Sequence, residues 1–224
     1  MPEIPLRLSK ISVGFRSKEA FRKICAVRCI DQQSFITYRS VIDLSVTIAT
    51  PEDIDALHDL FCRCKSLVTA YINVPNVNIP FTRIGLFNLL LPSIQTLKHL
   101  LIGYIYDLRN RTNDPLKSLA SQLEEMKDRN SIKNITIIVT IPPDWNSQLV
   151  PSDHSGWSDL DAVLAHSGWP KLESVSLQID IWTCKGRSTE LQSAFKQLPT
   201  TQFPNLSSKK TVLFNFSLNS KEVY

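Results

Sequence analysis

Glycine is scarce in this chain, with six among 224 residues, at positions 14, 85, 103, 156, 168 and 186. No group of them has the spacing of a Gly-x-Gly-x-x-Gly turn or a Walker loop, so phosphate cradling by a glycine-rich loop is excluded. Long apolar runs are missing too. The most apolar stretch, IGLFNLLLP at 84–92, falls far short of the ~20 residues a membrane-crossing helix needs, and MPEIPLRLSKISVGF at the start holds no apolar signal core. The cysteines Cys25, Cys29, Cys62, Cys64 and Cys184 are odd in number, in a chain too large to depend on disulfides. These absences lead us to expect an intracellular protein, cytoplasmic or nuclear, with no membrane partner. Four Asn-x-Ser/Thr sequons, at Asn110, Asn134, Asn205 and Asn215, carry no weight without a secretory signal.

What is present is ordinary globular usage, 43% hydrophobic and 21% charged. A fold of this size buries roughly 70% of the surface its unfolded chain exposes. The net charge of +4 is unevenly placed: residues 1–39 carry eight Lys/Arg against three Asp/Glu, and the remainder 17 against 18. A basic patch attracts nucleic acid. Here Arg16, Lys18, Arg22, Lys23 and Arg28 come with no stacking aromatics or nucleic-acid motif, so they read as a solvated helix face.

Alternation with period two marks the strands. Ile42, Leu44, Val46 and Ile48 alternate with polar residues, as do Val175, Leu177, Ile179 and Ile181; Ile135, Ile137, Val139 and Ile141 repeat the pattern against Asn134, Thr136 and Thr140, and Val212, Phe214, Phe216 and Leu218 against Asn215 and Ser217. Weaker patterns cover 67–74, 97–106 and 8–15, which makes seven strands in all. Between them the period changes to 3.6. Ile54, Leu57, Phe61 and Cys64 share a helical face, as do Leu116, Leu119, Leu123 and Met126, then Trp157, Leu160 and Leu164, then Leu191, Phe195 and Leu198. Phe21, Ile24 and Val27 suggest another helix, and 84–91 a short one. Thr50 before Pro51 and Asp114 before Pro115 place an acceptor at N-cap and proline at N1; Thr189 with Gln192, and Ser158 with Asp161, have capping-box spacing.

One inward anchor per strand, taken as Val13, Val46, Ile72, Ile102, Ile137, Leu177 and Phe214, gives spacings of 33, 26, 30, 35, 40 and 37. Helix-strand units of this kind bury nothing alone and must stack. The fold expected is α/β: an irregular leucine-rich-repeat-like solenoid, with parallel strands inside and helices outside. Residues 1–39 would be a basic strand-helix cap and residues 40–224 the repeats, as one continuous domain.

Several strands carry variants of Leu-x-x-Leu-x-Leu: Leu8, Ile11, Val13; Leu97, Leu100, Ile102; Ile132, Ile135, Ile137; Leu172, Val175, Leu177. With WSDLDAVLAHSGWPKLESVSLQIDI at 157–181 and the weaker echo Pro204, Asn205, Leu206, the chain resembles the degenerate leucine-rich-repeat regions of fungal F-box-like proteins, over residues 41–218. The resemblance implies a repeat region that holds a target for a ubiquitin ligase. No Leu-Pro-x-Glu F-box start is recognisable.

No catalytic constellation stands out. His58, Cys62 and Cys64 could bring three soft ligands together, but zinc knuckles pair cysteines two residues apart, and these read as packing cysteines. Asp153, His154 and Ser155 are adjacent in one loop, whereas a hydrolytic triad converges from separate elements. Asp159, Asp161 and His166 suit the two dipole ends of one helix, and Glu124, Glu125 and Asp128 a solvated face. Trp145, Trp157, Trp169 and Trp182 read as core closure or as interface anchors. No metal or cofactor is expected. What remains is the polar face of the sheet: Asp43, Ser45, Thr47, Thr69, Tyr71, Asn73, Thr136, Thr140, Ser176, Gln178, Asp180, Asn215 and Ser217 would form rungs of a partner-binding surface. The function expected is a non-catalytic protein-protein interaction module. The alternative is a compact doubly wound α/β enzyme with an unrecognised site, which strand order separates from the first.

Overall fold

The computed structural model describes residues 6–7, 9–14, 36–76, 78–106, 114–143, 156–183 and 188–222. The helix expected through Phe21, Ile24 and Val27, the basic residues 16–28, Cys25, Cys29, Cys184, Trp145 and residues 153–155 lie outside these. The strands are β1 (Leu6–Arg7), β2 (Lys10–Val13), β3 (Ile36–Thr37), β4 (Asp43–Thr47), β5 (Thr69–Val74), β6 (His99–Ile105), β7 (Asn134–Ile141), β8 (Ser174–Thr183) and β9 (Leu213–Glu222). The helices are α1 (Pro51–Arg63), α2 (Phe81–Ile84), α3 (Leu86–Leu90), α4 (Pro115–Met126), α5 (Gly156–Ala165), α6 (Ser188–Lys196), α7 (Leu198–Thr201) and α8 (Pro204–Ser208).

Seven strands form one open sheet in the order β2, β4, β5, β6, β7, β8, β9, every neighbouring pair parallel. β1 and β3 pair separately. The order follows the chain and never reverses, so the sheet lacks the crevice that a doubly wound fold opens at its switch point. Parallel neighbours require crossovers, and crossovers of one hand in an unreversed order put their helices on one face. Burial agrees. In β4, β5 and β7 the residues alternate strictly between buried and half-buried, and the buried set joins a single core with the helices. The helices themselves form a row, with α1 on α3, α3 on α4, α4 on α5 and α5 on α8.

Pairing turns the expected anchors into one row across the sheet. Val13, Val46, Ile72, Ile102, Ile137 and Leu177 are successive partners. The row is completed by Phe216 rather than Phe214, because Leu177 pairs with Phe216. Alternation assigns a residue to a face but is blind to a shift of two, so the ten-residue β9 left this choice to the pairing. The strands also start together: Lys10, Asp43, Thr69, His99, Asn134, Ser174 and Leu213 form a row at one end. From there their lengths grow across the sheet, from 4 residues in β2 to 10 in β9.

Polar side chains tie each unit to its neighbour by satisfying the main-chain groups that helix ends leave unpaired. Asp53 Oδ2 accepts from the Ala49 and Thr50 amides at 3.0 and 2.9 Å, closing the start of α1. Asp114 Oδ1 accepts from Leu116 N at 2.9 Å at the start of α4, while its Oδ2 accepts from Gly156 N at 3.2 Å at the start of α5. The two helix starts are so close that a Cβ on Gly156 would lie 2.5 Å from Asp114 Oδ2 and 2.7 Å from the Lys117 amide nitrogen, which requires glycine there. From α4, Ser118 accepts from Thr82 N at 2.8 Å and buried Gln122 from Phe87 N at 3.3 Å, serving the starts of α2 and α3. At the other ends, buried Ser93 donates to the Cys64 carbonyl after α1, and Lys209 Nζ donates to the Ala165 and His166 carbonyls after α5. Burial lowers the Lys209 pKa.

Two expected caps are corrected. α5 begins at Gly156, so Ser158 lies inside it, and Asp161 is 1% exposed rather than a dipole-facing surface acid. Its carboxylate accepts from Asn205 N at 3.0 Å and Leu206 N at 2.8 Å, capping α8 in the next unit. α6 begins at Ser188, which puts Thr189 within its first turn. The short helix expected at 84–91 is divided at Gly85, whose φ of 62° ends α2 and starts α3.

Because two amides depend on one buried carboxylate, Asp161→Ala is expected to lower unfolding free energy by about 2–3 kcal/mol. Urea unfolding should show an earlier midpoint at an unchanged slope. A loss under about 0.5 kcal/mol would show that the cap contributes little.

Candidate functional site

The expected rung residues do share one face, the side of the sheet opposite the helices. Pairing sorts them into cross-strand rows. One row runs Asp43, Thr69, His99, Asn134, Ser174; the next runs Ser12, Ser45, Tyr71, Leu101, Thr136, Ser176, Asn215. Above them come Thr47, Asn73, Gly103, Ile138, Gln178, Ser217, and then Ile105, Thr140, Asp180, Asn219. Most of these side chains are half-buried, as expected for a sheet face flanked by its own neighbours and by no helix among the described residues.

The pairing also adds residues that alternation could not flag. β6 reads HLLIGYI, apolar at both phases, so its outward members Leu101, Gly103 and Ile105 were not separable from its inward ones. Ile138 likewise interrupts the outward threonines of β7. These residues meet around Gly103. A Cβ at that position would lie 2.9 Å from Asn73 Oδ1 and 3.1 Å from the Tyr71 hydroxyl, so the Tyr71 side chain reaches across β6 over the glycine. The centre of the open face is therefore Tyr71 with Leu101, Ile105 and Ile138, an apolar patch inside a polar surround.

Toward the far end of the strands the face becomes polar and ordered. Gln178 Nε2 donates to both Asp180 oxygens at 3.0 and 3.1 Å, and Asn219 Nδ2 donates to Oδ1 at 2.8 Å. Asn134 Nδ2 donates to Ser174 Oγ at 2.6 Å near the opposite end. Beyond Asp180, in the same phase of β8, Trp182 is 43% exposed. Trp157 and Trp169 are buried in the core instead, which separates the tryptophans that close the structure from the one that meets solvent.

Elsewhere the candidate chemistry disperses. Cys62 is exposed, with its Sγ 3.7 Å from His58 Nδ1, while Cys64 is buried in the core, so of the two cysteines read as packing residues only Cys64 packs. Among the described residues no group of three or more His, Cys, Asp or Glu could hold a metal ion, and no helix is long and apolar enough to cross a membrane.

The core does contain an unusual aromatic run. Phe81, Tyr104, Tyr106 and Trp157 touch edge to face in succession at centroid distances of 5.7, 6.3 and 5.7 Å, and Trp157 meets Phe195 at 6.5 Å and Phe203 at 6.1 Å. Phe203 in turn stacks on Phe214 at 5.4 Å. The Tyr104 hydroxyl and Trp157 Nε1 are buried without a hydrogen-bond partner among the described residues.

The fold and this surface define a class: an α/β protein built on one parallel, sequentially ordered sheet with an open face. In comparisons with known proteins, no family model, no curated protein and no solved structure matches the chain.

Burial, then Tyr106, then Asp114, holds the Tyr104 phenol well above its ordinary value, and burial and Asp114 raise Tyr106. Both stay protonated in the fold when unfolded tyrosines ionise, so their contribution is full below about pH 10 and is lost as pH rises beyond it. Unfolding free energy measured between neutral pH and about pH 11 should fall, and fall less steeply in Tyr104→Phe. An identical pH dependence in that variant would contradict the assignment.

Proposed function

We propose that this chain is a non-catalytic protein-binding module, an irregular leucine-rich-repeat-like arc that seats a protein partner on its open sheet face. The curvature has a geometric origin. Paired strands lie ~4.8 Å apart, whereas packed helices need 8–10 Å, so stacked strand-helix units splay on the helix side and the sheet becomes the concave surface. Sequential parallel order and the unit-to-unit caps support this reading. By its resemblance to the repeat regions of fungal F-box-like proteins, the module would serve as the substrate-recognition part of a ubiquitin-ligase adaptor inside the cell.

The single observation that carries the proposal is the composition of the open face. An apolar centre of Tyr71, Leu101, Ile105 and Ile138, spread over Gly103 and ringed by short polar side chains, has the anatomy of an interface core with its rim. Tyrosine and tryptophan are the usual anchors of such surfaces, and Tyr71 and Trp182 both stand here. Asp180, held by Gln178 and Asn219, supplies a carboxylate already oriented for a donor on the partner.

Capture from the source cell with wild-type chain is expected to recover a partner that Tyr71→Ala combined with Ile138→Ser and Trp182→Ala loses. Adding charge reversal at Asp43 and Asp180 should abolish any residual recovery, while circular dichroism stays unchanged. Glu124→Lys, on the solvated side of α4, is the control and should retain the partner. Equal recovery by all variants would exclude the open face as the binding surface.

A further inference from the structure

The sheet ends differently on its two sides. β2 is four residues long and starts with an exposed lysine, Lys10, features that blunt an edge against pairing. β9 is ten residues long, and its central run from Phe214 to Asn219, Phe-Asn-Phe-Ser-Leu-Asn, has no charge and no proline and alternates apolar with polar residues.

The main-chain groups of this edge can be assigned. Leu213 N donates to Glu173 O in β8 at 2.9 Å, so Leu213, Asn215, Ser217 and Asn219 turn their N–H and C=O toward β8. Successive residues alternate, which directs those of Phe214, Phe216 and Leu218 outward. The same three residues carry the side chains that face the helix layer, and they are only half-buried, whereas their partners Val175, Leu177 and Ile179 are fully buried. Among the described residues no strand takes up these outward groups, so free hydrogen-bonding capacity and incompletely covered apolar groups sit on one set of residues.

We propose that β9 pairs antiparallel with β9 of a second copy of this chain, about a twofold axis normal to the sheet and centred on Phe216. Such an axis keeps both helix layers on the same side and joins the two sheets into one. Outward hydrogen bonding requires that these outward-facing residues oppose one another, and the side-chain faces then match automatically. The register centred on Phe216 sets Phe216 against its own copy and Phe214 against Leu218, with Asn215 opposite Ser217 on the open face. A centre on Ser217 would instead set Phe214 against Ser220. A centre on Asn215 would use Val212, whose N–H already donates to Lys209 O. Because the contact is self-complementary, it closes as a dimer, and the blunted β2 edge stops further growth. It uses none of Tyr71, Leu101, Ile105, Ile138 and Trp182, the centre and anchor of the proposed partner surface, so either reading can fail alone.

Analytical ultracentrifugation of the full chain at micromolar concentration is expected to give a dimer. Phe216→Lys and Phe216→Glu should each be monomeric, since they bring like charges together on the axis, and an equimolar mixture should recover a mixed dimer. Should either variant fail to fold, amide exchange on the wild-type chain provides an independent reading: protection of Phe214, Phe216 and Leu218 should rise with protein concentration while that of β7 does not. A wild-type monomer, a dimer that Phe216→Lys leaves intact, or concentration-independent exchange at these amides overturns the proposal.

Discussion

In-phase pairing of parallel strands is the constraint on which the rest of this structure depends. Every unit contributes one strand whose alternate residues must land beside those of its neighbours, because a one-residue slip would carry a whole apolar set to the solvent side. The row from Val13 through Leu177 to Phe216 is the result, and the common starting row from Lys10 to Leu213 shows that the alignment holds at the strand ends as well. Unequal anchor spacings of 26 to 40 residues are absorbed by the helix layer, where one, two or three helices fill each described crossover from β4 onward.

Irregular crossovers create a problem that regular repeats do not have, since each set of helix ends presents main-chain groups at a different place. The solution is specific to each junction. Asp114 closes two helices at once, Asp161 reaches forward to α8, Gln122 and Ser118 reach back to α3 and α2, and Lys209 covers carbonyls behind α5. Such polar contacts contribute little net stability individually, but leaving the buried ones, at Gln122 and Asp161, unmade is expensive. They consequently discriminate between a correctly stacked unit and one displaced along its neighbour, which a continuous apolar interface does poorly.

The helix-covered and open faces divide their duties. The covered face holds the aromatic run from Phe81 to Phe214, including two polar atoms that gain no partner among the described residues. The open face keeps its larger apolar groups near Gly103, and its polar groups are arranged among themselves. The glycine leaves room for Tyr71 and Asn73, and a side chain there would displace the ends of those two side chains.

Seven strands, the main helices and the thirteen rung residues were legible in the chain, because period-two and period-3.6 patterns are properties of local residues. The N-caps at Thr50 and Asp114 were legible for the same reason: proline at N1 after a polar residue is a local signal. Tertiary structure alone decided what depends on a neighbour. It assigned Phe216 rather than Phe214 to the anchor row, made Asp161 the cap of a helix more than forty residues away, and set Leu101, Ile105 and Ile138 on the same open face as Tyr71. β6 shows the reason most directly. A strand apolar at both phases carries no periodicity to read, and its outward face exists only once the strands on either side are in register.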